Sequence, residues 1–550
     1  MEQISIIKRI ETSIRDNWED LALTDFNGVS FQYRTIARKI AKLHIAYEAA
    51  GIKKGDKIAL CGRNSAQWSI AFLATLTYGA VPVPILHDFK PDMIHHLVNH
   101  SEAKIFFSDR SIWENLDSET MPNILGTIHI SDYSLLFSRN KDLQFARLHL
   151  NELFGKKYPE RFTPDDVKYE DPDPESLAVI NYTSGSTGFS KGVMIPYRAL
   201  TSNITYCIEH LTFLKRGDGM VCMLPLAHMY GLVIEMIHPL VKGCHTYFLT
   251  KLPSPKVIID AFATVKPKLI VSVPLILEKI IKTKVFPLLD KPLMKILMKM
   301  PLVDEKLMAK IKDRLQETFG GNLQEFIIGG AALNKDVEAF LRRIGFPYTV
   351  GYGMTECAPL LSYAPWNKTK PGACGQIVDR MQARIDSDDP AKTAGELIVK
   401  GDNVMLGYFK NKEATDAVLK DGWLHTGDLC TLDTDGFLFI RGRSKNMILG
   451  PSGQNIYPEE IEQQLNNMPY VSESLIVEEN GKLVALIYPD IENGEKQGMT
   501  FNDLARTMKD NIVALNKELP GYSQIENLKV LHEEFEKTPK RSIKRYLYQH

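Results

Sequence analysis

The first third of the chain alternates short apolar runs with stretches of helical pattern. Residues 57–61 read KIALC, residues 65–78 form a helix candidate, and residues 80–85 read AVPVPI. Residues 104–108, KIFFS, continue the series. Because strands that alternate with helices build largely parallel sheets covered by helices, this order predicts an α/β fold. Further short apolar runs that suit buried strands occur at 221–224, 268–273 and 326–328.

From about residue 395 the pattern changes to short strands and turns, such as GELIVKG and DGFLFIRGR. The end of the chain then has helix candidates at 458–465 and 501–516 and strand candidates at 474–478 and 483–488. A segment of this length can form an independent small domain. The sequence therefore predicts a large N-terminal domain, residues 1–443, with parallel-type sheets and helices, and a small α+β C-terminal domain, residues 444–550.

Composition excludes some classes of protein. Lys and Arg total 66 against 67 Asp and Glu, so the chain lacks the basic excess of a dedicated nucleic-acid binder. The seven cysteines are scattered without zinc-ligand spacing, which predicts free thiols in a reducing compartment. The N-terminus lacks the apolar core of a signal peptide, and no window resembles a membrane-spanning helix. We therefore expect a cytoplasmic protein.

Residues 183–191, TSGSTGFSK, form the segment with the clearest chemistry. Seven of these nine residues are Thr, Ser or Gly, and apolar runs precede and follow them. Glycine lets the backbone approach a ligand, and successive N–H groups in such a turn bind anions. The spacing is not that of a P-loop NTPase, which needs Gly-Lys-Ser/Thr after the second glycine. A flexible linker is the alternative, although linkers usually run longer and lie between domains.

YTSGSTGFSKGV resembles the phosphate loop of the adenylate-forming superfamily, which comprises acyl- and aryl-CoA synthetases, luciferases and peptide adenylation domains. The resemblance implies a mobile small domain and binding of ATP phosphates. The residues that it assigns to phosphate binding are Thr183, Ser184, Gly185, Ser186, Thr187 and Lys191.

Further motifs follow in the order that this superfamily shows. PLAHMYG at 225–231 resembles the segment whose histidine, here His228, lies beside the carboxylate being activated. GGAA at 329–332 resembles the turn that contacts adenine, which assigns Gly330 and Ala331. GYGMTE at 351–356 resembles a third motif, and the resemblance gives each residue a role: Tyr352 stacks on adenine, Thr355 donates to the α-phosphate, and Glu356 binds Mg²⁺ together with Thr183.

WLHTGDL at 423–429 resembles the ribose-binding motif, in which Asp428 accepts hydrogen bonds from both hydroxyls. RGRSKN at 441–446 resembles the hinge motif. There Arg443 reaches the ribose or phosphate, and Lys445 is the pivot of the small domain. The segment 450–456 resembles the part that faces pantetheine after the rotation.

The C-terminus departs from the pattern. The superfamily carries a lysine that supports adenylation, and aligned on TP at 538–539 and Arg545 that lysine falls on Ser542. A serine cannot supply the positive charge that the developing anion needs. We assign the role to Lys544, with Lys540 as the alternative. The basic segment could also be a solvated tail, with adenylation impaired.

The resemblance implies that the chain joins a carboxylic acid to coenzyme A through an acyl-adenylate, with ATP and Mg²⁺. The residues LPLAHMYGL at 224–232 and the extra region 274–320 most resemble long-chain fatty acid–CoA ligases. That region is basic, with nine Lys and one Arg against four acids between 279 and 314, and it could contact a membrane peripherally. Alternatives are transfer to a carrier-protein pantetheine and a catalytically weakened binding protein. The oligomeric state stays open.

Overall fold

The structure of the protein is a computed structural model that describes residues 3–183, 190–250, 255–449, 455–479, 481–538 and 542–549. Four predicted phosphate-loop residues, Ser184, Gly185, Ser186 and Thr187, lie outside the described residues, as does Lys540. Of the predicted pantetheine-facing segment, the described part is the short strand Asn455–Ile456.

The alternating pattern of the N-terminal region forms a five-stranded sheet. In spatial order its strands are Val81–Ile85, Lys57–Cys61, Ile105–Ser108, Gly126–His129 and Leu135–Ser138. The first four are parallel, and the edge strand Leu135–Ser138 is antiparallel. Helix Ala66–Tyr78 begins where the Ser65 hydroxyl accepts a hydrogen bond from the Trp68 N–H, and it ends at Gly79, whose φ is 83°. The predicted strands and helix are thus confirmed.

Two further sheets contain the middle of the chain. One has Gly219–Cys222, His245–Phe248 and Leu21–Asp25 in parallel, with Ser30–Gln32 antiparallel at its edge. The other is a parallel sheet of Leu269–Ser272, Glu325–Ile328 and Tyr348–Val350. The motifs at 225–231, 329–332 and 351–356 each follow the carboxyl end of one of these strands. Ligands of α/β folds bind at such ends, so the topology favours a site there.

The predicted phosphate loop joins two strands of a hairpin. Strand Leu177–Thr183 pairs antiparallel with Lys191–Pro196, and Thr183 lies opposite Lys191. A third strand, Gly407–Tyr408, pairs with the outer side of Lys191–Pro196. The apolar runs before and after the loop are therefore strands, as predicted.

The change of pattern near residue 395 marks an antiparallel sheet. Its strands are Met381–Asp386, Gly395–Gly401, Trp423–Leu432, Leu419–Lys420 and Leu438–Arg443. A smaller antiparallel sheet consists of Tyr352–Gly353, Leu360–Tyr363 and Gln376–Ile377. In sequence it lies between the parallel strand Tyr348–Val350 and the first strand of the larger antiparallel sheet.

The C-terminal region has hydrophobic clusters of its own. Strands Val471–Glu479 and Lys482–Pro489 pair antiparallel, and Asn527–Val530 adds in parallel. Helices Pro458–Leu465 and Phe501–Asn516 pack on this sheet, and their side chains Leu465 and Met508 are fully buried there. The α+β character of this region is as predicted. The exact boundary between residues 443 and 444 stays a prediction.

Residues 274–320 form a helical region. Its helices are Pro274–Ile280, Ile281–Val285, Phe286–Leu289, Pro292–Leu297 and Pro301–Thr318. Met308 and Leu315 on the last helix pack into the second core of the protein. Among the described residues, no helix is both long enough and apolar enough to cross a bilayer.

The remaining longer helices are Ile6–Asp16, Tyr33–Ala49, Pro91–His100, Lys141–Leu148, Leu150–Lys157, Tyr197–His210, Pro255–Val265, Lys335–Arg343 and Lys412–Val418.

Candidate active site

Asp428 is a buried carboxyl with 3% of its surface exposed. It lies opposite Arg443 on the adjacent antiparallel strand, and the Arg443 Nε lies 2.6 Å from its Oδ1. The Tyr352 hydroxyl donates a hydrogen bond to the other carboxyl oxygen, Oδ2. The structure therefore brings together three predicted nucleotide-binding residues that are far apart in the chain.

The electrostatics of this cluster follow from its burial. Burial raises the pKa of Asp428, and the Arg443 guanidinium acts in the opposite direction because it stabilises the carboxylate. Burial also raises the pKa of the Tyr352 phenol well above its ordinary value, and the negative charge of Asp428 adds to that rise. The phenol is therefore a hydrogen-bond donor at neutral pH. Each carboxyl oxygen has a second lone pair that can accept a hydrogen bond from a hydroxyl group.

Glu356 forms a second polar group close to the hairpin. The Tyr408 hydroxyl donates to Glu356 Oε1 at 2.9 Å, and the Lys191 Nζ lies 4.7 Å from the centre of the Tyr408 ring. Tyr408 thus connects the lysine that ends the phosphate loop with the predicted metal ligand. Sequence analysis did not identify Tyr408, because it belongs to no recognised motif and its partners are distant in the chain. Thr355 begins the helical turn Thr355–Cys357 that carries Glu356.

The strand before the phosphate loop is held by polar contacts. Thr183, its last residue, is paired with Lys191 across the hairpin. The preceding Tyr182 is buried, and its hydroxyl lies 2.7 Å from the His100 Nδ1. Burial raises the pKa of the Tyr182 phenol, which therefore keeps its proton at neutral pH, and the tautomer of His100 decides which of the two groups donates. Both described ends of the loop are therefore fixed in position.

The predicted adenine-contacting turn follows strand Glu325–Ile328. Gly330 has a φ of 83°, which L-amino acids with a side chain rarely adopt. Gly329 lies against the Tyr230 ring, and a Cβ at this position would come within 3.0 Å of the ring. Gly330 and Ala331 are exposed. The turn thus presents its backbone to solvent while Gly329 packs on the segment that contains His228.

His228 lies half-buried at the start of the helical turn Met229–Gly231. It comes six residues after strand Gly219–Cys222. Tyr230, two residues further on, reaches strand Glu325–Ile328, where its hydroxyl lies 3.4 Å from the Ile327 carbonyl oxygen. The predicted acyl-site histidine and the predicted adenine turn are therefore neighbours in the fold.

The C-terminal candidates occupy a different part of the structure. Lys445 lies in the turn Ser444–Asn446, directly after Arg443. The Lys544 Nζ lies 3.1 Å from Glu536 Oε2, and the Nη2 of the neighbouring Arg545 donates to both carboxyl oxygens of the buried Glu462. In this arrangement the described partner of Lys544 belongs to the C-terminal region, not to the Asp428 cluster.

Helix Pro458–Leu465 and the residues after it connect the C-terminal region to the large part of the chain. The Gln463 side chain donates to the Leu333 carbonyl oxygen at 2.9 Å. The side chains of Asn334 and Asn467 also form a hydrogen bond. Both contacts lie just after the Gly330 turn, so the orientation of the C-terminal region is linked to that turn.

Comparison with known families shows which class of protein this chain belongs to. The AMP-binding enzyme family matches residues 10–409, and the C-terminal domain of AMP-binding enzymes matches residues 445–549. The chain therefore belongs to the AMP-binding enzyme family, and the predicted relationship to adenylate-forming enzymes is confirmed.

Individual proteins are similar over most of the chain. A long-chain-fatty-acid–CoA ligase, FadD15, of Mycobacterium bovis is 28% identical over 504 residues, which cover 85% of this chain and 80% of that protein. A long-chain-fatty-acid–CoA ligase of Escherichia coli is 27% identical, covering 94% and 89%. The ATP-bound structure of MatB from Rhodopseudomonas palustris superposes with a TM-score of 0.77 at 23% identity, covering 100% of this chain and 98% of MatB. At that identity the structural match shows the fold.

Proposed function

We propose that this protein is an AMP-forming acid–thiol ligase that converts a medium- to long-chain fatty acid to acyl-AMP and then to acyl-CoA. The observation that carries the proposal is the Asp428 cluster, in which Arg443 and Tyr352 hold a buried carboxyl. Long-chain-fatty-acid–CoA ligases among the relatives support the choice of acid and of thiol.

In this proposal the nucleotide is bound by the Asp428 cluster and by the Gly330 turn. Asp428 accepts hydrogen bonds from the ribose hydroxyls, and Arg443 balances its charge at 2.6 Å. Tyr352 is oriented by its bond to Asp428, so that its ring forms one side of the adenine site. Gly330 and Ala331, which are exposed, contact the adenine with their backbone.

The phosphates lie at the hairpin, where Thr183 and Lys191 face each other. Glu356 and Thr183 offer a carboxylate and a hydroxyl oxygen, which are the hard ligands that suit Mg²⁺ shared with phosphates. Glu356 is oriented by the Tyr408 hydroxyl, as a metal-binding carboxylate requires. Mg²⁺, when bound with ATP, would neutralise part of the phosphate charge.

The first reaction forms the adenylate. An oxygen of the fatty acid carboxylate attacks the α-phosphorus, the bond to the bridging oxygen breaks, and pyrophosphate leaves with the electron pair. Thr355 donates to the α-phosphate and His228 lies beside the carboxylate. A lysine of the C-terminal region, which we assign as Lys544, stabilises the developing negative charge.

The second reaction forms the thioester. The C-terminal region turns about Lys445 and the pantetheine thiol enters. The thiol releases its proton to solvent, its sulfur attacks the carbonyl carbon, and the bond to the phosphate oxygen breaks, so that AMP leaves with the electron pair. In the present orientation Lys544 is bound to Glu536, so it must leave that partner to act in the first reaction.

The helical region 274–320 supports contact with a membrane that contains anionic lipids. Its apolar side chains Leu293, Ile296 and Leu302 are exposed by 66%, 61% and 77%. Lys291, Lys295 and Lys299 are exposed beside them. Apolar side chains among lysines are typical of surfaces that insert shallowly into anionic bilayers. Such contact would place the enzyme where fatty acids are concentrated.

The direct test is incubation of the purified protein with Mg-ATP, palmitate and CoA. We expect AMP, pyrophosphate and palmitoyl-CoA in equal amounts, and a series of chain lengths defines the preferred acid. Turnover with a holo carrier protein but not with CoA would exclude the assigned acceptor. If no acid of the series causes release of pyrophosphate, the protein is a binding protein. If the product is ADP, the protein is a different class of enzyme.

A further inference from the structure

The segment that leads from strand Gly219–Cys222 to His228 is held by a buried carboxyl group. Glu235 is fully buried. Its Oε2 accepts hydrogen bonds from the Leu224 N–H at 2.8 Å and from the Met223 N–H at 3.1 Å. The two peptide groups at the end of the strand are therefore fixed by one side chain.

Two buried or half-buried asparagines hold the rest of this segment. Asn64 donates to the Leu224 carbonyl oxygen at 2.7 Å and accepts from the Leu226 N–H at 2.9 Å. Asn181, which is fully buried, donates to the Ala227 carbonyl oxygen at 2.9 Å. Asn181 lies two residues before Thr183, so this bond joins the segment before His228 to the strand that leads into the phosphate loop.

Glu235 and His228 belong to one continuous helical stretch. The Leu232 N–H donates to the His228 carbonyl oxygen at 2.9 Å. Residues Leu232–Ile237 then form a wide, π-helical turn, a distortion that is frequent at functional sites. From this turn Glu235 reaches back to the strand end, so strand, histidine and helix form a closed loop.

A buried carboxyl is costly unless its environment compensates it. Burial raises the pKa of Glu235 to about 8, and the two peptide N–H groups and the Cys222 thiol act in the opposite direction. The nearby Tyr230 is influenced in turn, since Glu235 adds to the rise of its pKa. The carboxyl is thus protonated more readily than an exposed glutamate, and its described contacts are to the Met223 and Leu224 N–H groups and the Cys222 thiol.

We propose that Glu235 is a positioning residue of the adenylation step, which fixes His228 relative to the phosphate loop through the ends of two strands. The inference rests on the proposed function, because the effect of Glu235 is expected on use of the fatty acid. Glu235 touches no reacting atom in this scheme and acts through the backbone of residues 223–228.

The test compares Glu235→Leu, which has no acceptor, with Glu235→Gln, which retains an oxygen for the two N–H groups. For E235L we expect kcat/KM for palmitate to fall about 10- to 100-fold, because the Met223 and Leu224 N–H groups lose their acceptor. We expect E235Q to remain within about threefold of the wild type. Affinity for Mg-ATP, measured separately by titration calorimetry, is expected to be unchanged in both variants.

Glu325→Leu is the matched control. Glu325 is also a buried carboxyl with two hydrogen bonds, but it lies at the opposite end of strand Glu325–Ile328 from the Gly330 turn. A general loss of core stability would affect E325L and E235L alike. A loss of palmitate use specific to E235L supports the proposal, and equal losses would overturn it. If E235L does not fold, Glu235→Asp, which is too short to reach both N–H groups, is measured in its place.

A double-mutant cycle with His228→Ala decides whether Glu235 acts through the histidine. We expect the substitution at 235 to cost less than about twofold in the H228A background, because the group that it positions is absent. The same loss in both backgrounds would overturn the proposal. Failure of the wild type to form acyl-AMP would instead refute the proposed function, and that outcome is read from the wild-type reaction alone.

Discussion

Arg443 and Asp428 face each other on adjacent antiparallel strands, with 2.6 Å between the Arg443 Nε and the Asp428 Oδ1. The aspartate is buried whereas 55% of the arginine side chain is exposed. The charge of the buried carboxyl is thus balanced by a cation that lies on the solvent side. This pair is therefore the natural place to test nucleotide binding.

Replacing Asp428 with alanine is expected to raise the KM for ATP about 100-fold, because the acceptor for the ribose hydroxyls is lost. The melting temperature is expected to change little, since the variant also removes a carboxyl that is costly to bury. Asp433→Ala is the control, because Asp433 pairs with Lys370 near the other end of the same sheet. An unchanged KM for ATP in D428A would contradict the assignment of Asp428 to ribose binding.

Replacing Tyr408 with phenylalanine removes the hydroxyl that orients Glu356 and keeps the ring beside Lys191. We expect the Mg²⁺ concentration for half-maximal pyrophosphate release to rise about tenfold, because a metal-binding carboxylate loses the group that holds it. The KM for palmitate is expected to stay the same. A changed palmitate KM with normal Mg²⁺ dependence would place Tyr408 in another role.

Replacing Lys544 with alanine separates the two half-reactions. Adenylation is expected to slow about 100-fold, whereas thioester formation from supplied acyl-AMP should continue, since the lysine is needed for the charge on the α-phosphate. Lys540→Ala tests the alternative residue, and Lys537→Ala is a control held by Glu473 and Glu534. Normal adenylation in K544A together with slow adenylation in K540A would transfer the role to Lys540. Ser542→Lys should then accelerate adenylation in the impaired variant.

The buried Glu325 predicts a dependence of stability on pH. Burial raises its pKa to about 7, and the Tyr363 hydroxyl and the Trp366 N–H act in the opposite direction. Between the ordinary glutamate pKa and about 7, the folded state retains a proton that the unfolded state has released. Stability therefore falls as pH rises through this interval and stays lower above it. Glu325→Gln cannot ionise, so its melting temperature relative to the wild type should increase with pH across the same interval. Parallel curves would refute the assignment.

Replacing Leu293 and Leu302 with serine tests the membrane surface. Binding to vesicles that contain phosphatidylglycerol, measured by co-sedimentation, should weaken about tenfold or more. The reason is that full burial of each leucine side chain contributes about 1.5–3 kcal/mol. Leu148→Ser is the control, because Leu148 is 83% exposed on a different helix. Neutral phosphatidylcholine vesicles should bind the wild type weakly. Equal binding by the wild type, the double variant and L148S would exclude region 274–320 as the contact.

The local pattern of the sequence was sufficient for many elements. Strand Lys57–Cys61 and helix Phe501–Asn516 lie where periodicity and turn residues predict them, because buried strands and capped helices leave strong local signals. The order of motifs also predicted that Asp428, Tyr352 and Arg443 belong to one nucleotide site. Their proximity in the structure agrees with that prediction.

Tertiary structure alone decided the supporting contacts. Tyr408, Asn181 and Glu235 belong to no recognised motif, and their roles depend on partners that the fold brings close, such as the Tyr408 hydroxyl and Glu356. Sequence alignment places Ser542 at the position of the catalytic lysine, so the nearby Lys544 was predicted to take that role, whereas in the structure its described partner is Glu536. A chain determines by itself which residues carry the chemistry. Which polar groups meet, and which are buried together, is decided by packing between segments distant in sequence, and local patterns carry no record of it.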